Sequence, residues 1–418
     1  MAISTNVNNM LMETYEDPRD ILFSDTKEIT PLFAACESGQ DRSGMGRKFI
    51  ERVTWSEGTA VSADGDTADT IAGDGAAGST PGQDRWEITP VTLDSSFVMT
   101  RDDLDATDGM SSREQYDVLS KYIDMAMKRL RNKLCEQVGG TGSGALCQIS
   151  AITSTTVTVP IVYVNKFRVG SRLTAATAES GGTAYGTAIR VTAINTSTGV
   201  LTLSADPTST WANNSALYLF DSGNRGAVIT GVRGWIDPNG ATLFGMTRAG
   251  NPALSGFGVD CSTLDTTQGL IKTANQSFYN GHKPDLMIVT GRTWEILQAD
   301  KDAAKNVVPV KIGDYEIGYE AFRLATVFGF IPVLPDAFWG ALNPTSAGQY
   351  AICGPFMSKE DRPKLKHTNK ALITIDDKDG NIIRAQSGRK YGGRVYFRGQ
   401  LSFAHSVGKY TLGTGLPS

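Results

Sequence analysis

The stretch SSREQYDVLSKYIDMAMKRLRNKLCEQV, residues 111–138, constrains this fold more than any other part of the chain. Tyr116, Leu119, Ile123, Ala126, Met127, Leu130, Leu134 and Val138 recur at the three- and four-residue steps that keep one helical face apolar. Ser111 and Glu114 have capping-box spacing, and Gly139-Gly140 supply the permissive backbone on which helices end. The spacing predicts one uninterrupted helix, roughly 40 Å long. Taken alone, such a helix suits a coiled coil or a bundle. No second stretch of comparable length and period is present to pack against it. Its surroundings are strand-like, loop-like and glycine-rich, with 45 glycines in 418 residues. The helix is therefore expected to be the spine of a mostly β, plate-like body.

The length predicts two or three domains. A net charge of −4 is close to neutral for this size and gives no reason to expect tight nonspecific binding of nucleic acid over the whole surface. The five cysteines (Cys36, Cys135, Cys147, Cys261, Cys353) are scattered and form no CxxC pair, so neither a disulfide framework nor a zinc site is expected; buried apolar roles are. The first residues, MAISTNVNNML, lack the basic and apolar regions of a signal peptide, and no run of about 18 apolar residues predicts a membrane span.

Taken in order, residues 1–45 read as a polar arm with short apolar anchors at 21–23 and 32–36. Residues 46–100 read as a long hairpin, RKFIERVTW going out and RWEITPVTLDSSFVMT returning, around a tip of Gly, Ala, Ser, Thr and Asp. DGDTAD in that tip lacks the later glutamate of a calcium loop. Residues 101–144 hold the spine and a GGTGSG linker. From 145 to 222 there are only seven charged residues and six short β runs separated by turn signals, which predicts a small inserted antiparallel barrel. Its interior is expected to contain Val157, Val169, Ile189, Val191, Leu201, Leu203 and Leu219. Residues 223–358 return to mixed α/β, with helices over 262–281 and 292–302 and strands at 284–291, 328–336 and 349–355. Residues 359–418 are β again: a hairpin turning through Asp377-Lys378-Asp379-Gly380, then a long final strand from 392.

Material for catalysis is sparse. His282, His367 and His405 stand in no HExxH or GxSxG context, no phosphate-binding GxxxxGK[ST] loop occurs, and the paired carboxylates lie in turn-like text. No active site, metal site or cofactor is predicted.

The order of parts resembles the major capsid protein of tailed bacteriophages, the Hong Kong-type capsid fold. TPLFAACESG at 30–39 resembles that family's arm anchor, and GVRGWIDPNGATLFGMTRAGNPALSG at 231–256 resembles its approach to the axial domain. NGHKPDLMIVTGRTWEIL (280–297), FGFIPVLPD (328–336) and RVYFRGQLSFAHSVGKYTLGTG (394–415) are similar to its later strands and helix. The resemblance implies an α+β chain with N-terminal arm, extended loop, peripheral domain, axial domain and an added barrel. It also implies self-assembly into hexamers and pentamers around double-stranded DNA, with portal and scaffolding or decoration proteins as partners, in a virion assembled in the host cytoplasm, with no membrane. An encapsulin-type shell around cargo enzymes shares that fold. A secreted carbohydrate-binding protein is a reading of another class, disfavoured by the N-terminus.

Within this reading, charge suggests contacts between copies. The hairpin tip carries Glu57, Asp64, Asp66, Asp69, Asp74 and Asp84 and no base. Between 359 and 398, Lys359, Arg362, Lys364, Lys366, Lys370, Lys378, Arg384, Arg389, Lys390, Arg394 and Arg398 outnumber five acids. The acidic tip of one copy is expected to lie over the basic strands of the next.

Overall fold

A computed structural model describes residues 30–41, 47–56, 82–100, 112–211, 216–240, 242–248, 252–299, 307–312, 315–340, 342, 348–368, 373–375, 383–384, 390–403 and 406–417. The chain is α+β, built on several sheets and one long helix.

That helix runs Ser112–Val138. Ile123, Ala126, Met127, Leu130, Leu134 and Val138 are all buried, as their spacing requires. They pack on two antiparallel strands, Val91–Thr100 and Lys390–Ser402, paired from Lys390↔Thr100 to Gly399↔Val91. Strand side chains alternate between faces, so Leu93, Phe97, Val395, Phe397 and Leu401 meet the helix while Asp94, Val98, Arg394 and Arg398 face outward. Lys364–His367 joins the same sheet through its pairing with Lys390–Ser402, and Glu37–Gln40 adds a parallel edge strand. The arm anchor is buried: Pro31, Leu32 and Phe33 form the short helix Pro31–Ala35, with proline at its first turn, where a missing N–H costs nothing.

The strands Phe49–Ser56 and Gly82–Ile88 form a two-stranded hairpin that pairs with no other strand among the described residues. Its root is wedged into the main core by Phe49, Val53, Trp86 and Ile88. Trp86 meets Trp235 edge-on with ring centroids 5.2 Å apart, and Trp235 Nε1 donates to the Leu401 carbonyl at 2.9 Å.

The six β runs between 145 and 222 all become strand, in the ladder order 145–148, 218–221, 172–176, 184–195, 200–203, 156–158, 151–152. The first and last of these are successive pieces of one bent segment. At the bend, Ile149 N–H bonds to the Leu217 carbonyl at 2.9 Å and Ser150 N–H to the Thr158 carbonyl at 2.8 Å. The ladder therefore returns to its starting segment and encloses its own apolar core, separate from that under the spine. Val157, Ile189, Val191, Leu201, Leu203 and Leu219 lie in that core, whereas Val169 is 64% exposed. Val169 occupies the turn closed by Ser171 N–H on the Arg168 carbonyl at 3.1 Å, just ahead of Gly170 at φ +95°, so it never joins the alternation of a strand.

A third core lies under a seven-stranded mixed sheet in the order 257–260, 411–416, 349–354, 286–290, 329–336, 315–326, 307–312. The fully buried strand Leu286–Thr290 is central, and the helices Thr266–Tyr279 and Gly291–Ala299 pack against the sheet. The pair formed by Val307–Ile312 and Tyr315–Thr326 was not anticipated from the sequence.

Two expectations for the C-terminal part are corrected. The flanks Thr374–Ile375 and Ile383–Arg384 do not pair with each other: both run antiparallel to Lys390–Ser402, one after the other along its edge. The turn expected between them lies outside the described residues. The final run is also not one strand. It breaks after Ser402, where the Phe403 carbonyl accepts the amides of Ser406 (2.8 Å) and Val407 (3.1 Å), and restarts as Thr411–Leu416 in the seven-stranded sheet. Phe403 and Tyr410 stack edge-on at 5.0 Å across the break, so one chain segment joins two sheets through an aromatic contact.

Candidate assembly surfaces

The hairpin is held at its root by a buried charge cluster. Glu51 occupies an inward position of Phe49–Ser56 and is 8% exposed. Ser402 Oγ donates to its two carboxylate oxygens at 3.0 and 2.9 Å, and Lys366 makes an ion pair with it. Lys366 Nζ also donates to Asp41 at 2.7 Å. Burial alone would lower the Lys366 ammonium, but Glu51 and Asp41 outweigh it and hold it above its ordinary value. Hairpin, arm and return sheet thus meet on one cation. At the rim, Lys48 (2.6 Å) and Arg85 (2.9 Å) flank Glu87, and the Lys48 hydrogen bond leads in lowering its carboxyl. These rim pairs are solvated and contribute little.

The expected contact residues are placed as follows. Glu57, Asp64, Asp66, Asp69, Asp74, Lys370, Lys378 and Arg389 lie outside the described residues. Asp84 sits on the hairpin, its backbone opposite Val53; Arg384 and Lys390 sit on paired strands. Lys359 is exposed, and Arg362 and Lys364 are half-buried. Lys366 is neutralised within its own chain, and Arg394 lies 3.9 Å from Asp94 with both side chains more than half exposed. Arg394 and Arg398 project from the face of the sheet opposite the spine helix. Sequence reasoning missed the partners Asp41 and Glu51, because the contact joins positions more than 300 residues apart.

A second charged region lies between the barrel, the spine helix and the strand Val91–Thr100. It is an open cleft of about 650 Å³, within the size range of ligand clefts. Lys133 on its wall is satisfied by Glu136 at 3.2 Å and Asp221 at 2.6 Å, which tie the spine to the barrel. Lys166 differs: its ammonium reaches the Leu146 carbonyl at 3.0 Å and lies 4.2 Å from the centre of the Tyr163 ring, and burial lowers it from its ordinary range. Arg129, Arg168 and Arg172 line the same cleft.

Of the histidines, His282 is half-buried and lowered by burial, His367 is buried in a strand, and His405 lies outside the described residues. The five cysteines are all buried, as expected, and burial pushes the Cys135 and Cys147 thiols up to about 12. No cluster of three metal-ligating side chains occurs among the described residues, and no helix among them is long and apolar enough to cross a membrane.

No family model matches the sequence, and no curated protein matches it. Among solved structures, the chain is similar to a protein of the cyanophage A-1(L) capsid asymmetric unit, at 10% identity and a TM-score of 0.49 over 93% of both chains. It is similar to the capsid protein of a native GTA particle, at 10% identity and a TM-score of 0.46 over 94% of this chain and 91% of that one. It is also similar to the SrpI encapsulin of Synechococcus elongatus PCC 7942, at 7% identity and a TM-score of 0.42 over 93% of this chain and 89% of that one.

Proposed function

We propose that this chain is the structural subunit of a closed icosahedral shell, a major capsid protein of the tailed-phage type that assembles into hexamers and pentamers around double-stranded DNA. The observation that carries this reading is the hairpin 49–56/82–88. It is fastened at its root by Trp86, Phe49 and the Glu51–Lys366 pair, yet its two strands pair with no further strand among the described residues. A lone two-stranded ladder is marginal in water. A subunit that extends such an element supplies a contact for a neighbouring copy, and a closed shell repeats one such heterologous contact many times. The buried arm anchor, the spine under a sheet and the separate seven-stranded unit support the same division of the chain: arm 1–45, extended loop 46–100, peripheral region 101–144 and 359–418, barrel 145–222, axial unit 223–358. The role is structural, with portal and scaffolding or decoration proteins as further partners, and the acidic tip engages basic surface on the adjoining copy.

Size-exclusion chromatography with light scattering tests this on the purified chain. Particles of many copies support it, and a stable monomer at all concentrations overturns it. Nuclease-protected duplex DNA in particles from the native source separates this reading from a cargo-enclosing shell, which would protect protein instead.

A further inference from the structure

The glycine-rich linker 139–144 borders a cavity of about 40 Å³, with room for about three water molecules or for one small oxyanion in their place. Its walls come from separate parts of the chain: Gln137 at the end of the spine helix, Lys166 and Glu179 of the barrel, Ile229 and Arg233 before the axial unit, and Gly340 beyond the strand Gly329–Asp336. Three cations, Lys133, Lys166 and Arg233, and two carboxylates, Glu136 and Glu179, line it. Both carboxylates are engaged, Glu136 by Lys133 at 3.2 Å and Glu179 by the hydroxyls of Thr141 and Ser143.

The groups left without partners are donors. Gln137 is 6% exposed, and its Oε1 accepts the Ile229 amide at 3.2 Å, but its Nε2 has no hydrogen-bond partner. Buried polar groups of this kind are almost always bonded, so an acceptor is expected against it. The Lys166 ammonium donates to the Leu146 carbonyl at 3.0 Å, and Glu136 acts on it from beyond ion-pair distance. Arg233 reaches the Gly340 carbonyl through Nη1 at 3.3 Å and lies 4.8 Å from the centre of the Tyr350 ring; its other N–H groups have no acceptor among the described residues. The amides of Thr141, Gly142, Ser143 and Gly144 likewise donate to no protein acceptor among the described residues. Within this run φ is positive at Gly142 (+90°) and Gly144 (+83°) alone. Backbone that alternates in this way turns successive N–H groups toward one concave side, the arrangement of anion-binding nests.

We propose that this cavity binds one small tetrahedral oxyanion, phosphate or sulfate, through Gln137, Lys166, Arg233 and the linker amides. A ligand that only accepts hydrogen bonds suits a lining whose open groups all donate and whose carboxylates are already bonded. A metal cation does not suit it, since it would meet the unpaired donors. A cavity of this size admits a free ion and excludes a nucleic-acid strand. The bound ion bridges the spine helix, the linker, the barrel and the approach to the axial unit, and so fastens the barrel to the body where their chains meet.

Equilibrium dialysis of the full-length chain against radiolabelled inorganic phosphate, with ionic strength held constant by chloride, tests this. The expected result is saturable binding in the millimolar range or tighter, approaching one ion per chain, with sulfate as a competitor. Gln137→Glu keeps an acceptor for the Ile229 amide but replaces the donor with a negative charge, and should weaken binding about tenfold to a hundredfold. Lys166→Met keeps a stem of similar length without the charge; it should weaken binding likewise, and it carries the test if the first variant fails to fold. A rise in the urea midpoint with phosphate that these variants lose is the second readout, because a ligand bound by the native state stabilises it. General stabilisation by phosphate salts would be shared by wild type and variants alike. Wild type without saturable binding, or binding that either folded variant retains undiminished, overturns the site and leaves the cavity to water. Displacement of the labelled ion by a short DNA duplex also overturns it, since the occupant would then be a nucleic-acid phosphate.

Discussion

Asp336 Oδ2 accepts the backbone amide of Leu32 at 3.0 Å, a contact between positions 304 residues apart that pins the arm to the end of the strand Gly329–Asp336. Its other oxygen accepts the amides of Phe338 at 2.9 Å and Trp339 at 3.1 Å. Burial pushes this carboxyl up to about 6, against the pull of the three amides. A raised carboxyl contributes stability that is fully present below its unfolded value, near 4, and is lost as pH rises through about 6. Wild type should therefore lose stability relative to Asp336→Asn between pH 4 and about 7, after which the gap should level off. Urea melts across that range check it; a gap that does not vary with pH contradicts it.

The spine offers a packing test. Leu134 is fully buried against the strands that run beside the helix. Leu134→Ala should cost about 2–5 kcal/mol, the span for a large-to-small change in a core. Denaturant midpoints measure it, and Lys128→Ala, on the exposed face of the same helix, should cost less than about 0.5 kcal/mol.

The hairpin root makes a double-mutant prediction. Lys366→Met leaves Glu51 buried beside Ser402 without its Lys366 partner and should cost about 3–5 kcal/mol. Adding Glu51→Gln removes the stranded charge and should recover more than half of that loss. Losses that simply add would show that the two groups do not act as a pair.

What the sequence made legible follows from range. The spine helix was visible because its signal is local: an unbroken apolar period ending at Gly139-Gly140. The six short runs of the barrel were visible because turn signals stand between them. Pairings over long separations left no such mark. The ladder of Phe257–Asp260 with Thr411–Leu416 joins segments about 150 residues apart, and nothing in either run names the other. The break at Phe403–Tyr410 was hidden because Phe403, Val407 and Tyr410 continue an apolar pattern while their backbone turns. The Glu51–Lys366–Asp41 cluster was hidden because isolated charges in strand text read as solvated until a fold brings them together. Lys366 was anticipated as a contact between copies, yet here it binds within its own chain.

Electrostatic docking of the tip predicts a salt effect on assembly. Changing Asp64, Asp66, Asp69 and Asp74 together to Asn should slow assembly at low salt and remove most of its salt dependence, since exposed pairs are individually worth about 0–1 kcal/mol and are screened over about 10 Å at 0.1 M. Light-scattering time courses at two ionic strengths read this out. Identical salt dependence in variant and wild type contradicts a docked acidic tip.

The central claim is that copies of this chain close into a shell, and negative-stain electron microscopy of the purified full-length protein tests it most directly. The account predicts closed particles of uniform diameter with five- and sixfold clusters on their surface. Fields of separate monomers at every salt and protein concentration tried, from protein whose melting shows it to be folded, would contradict it.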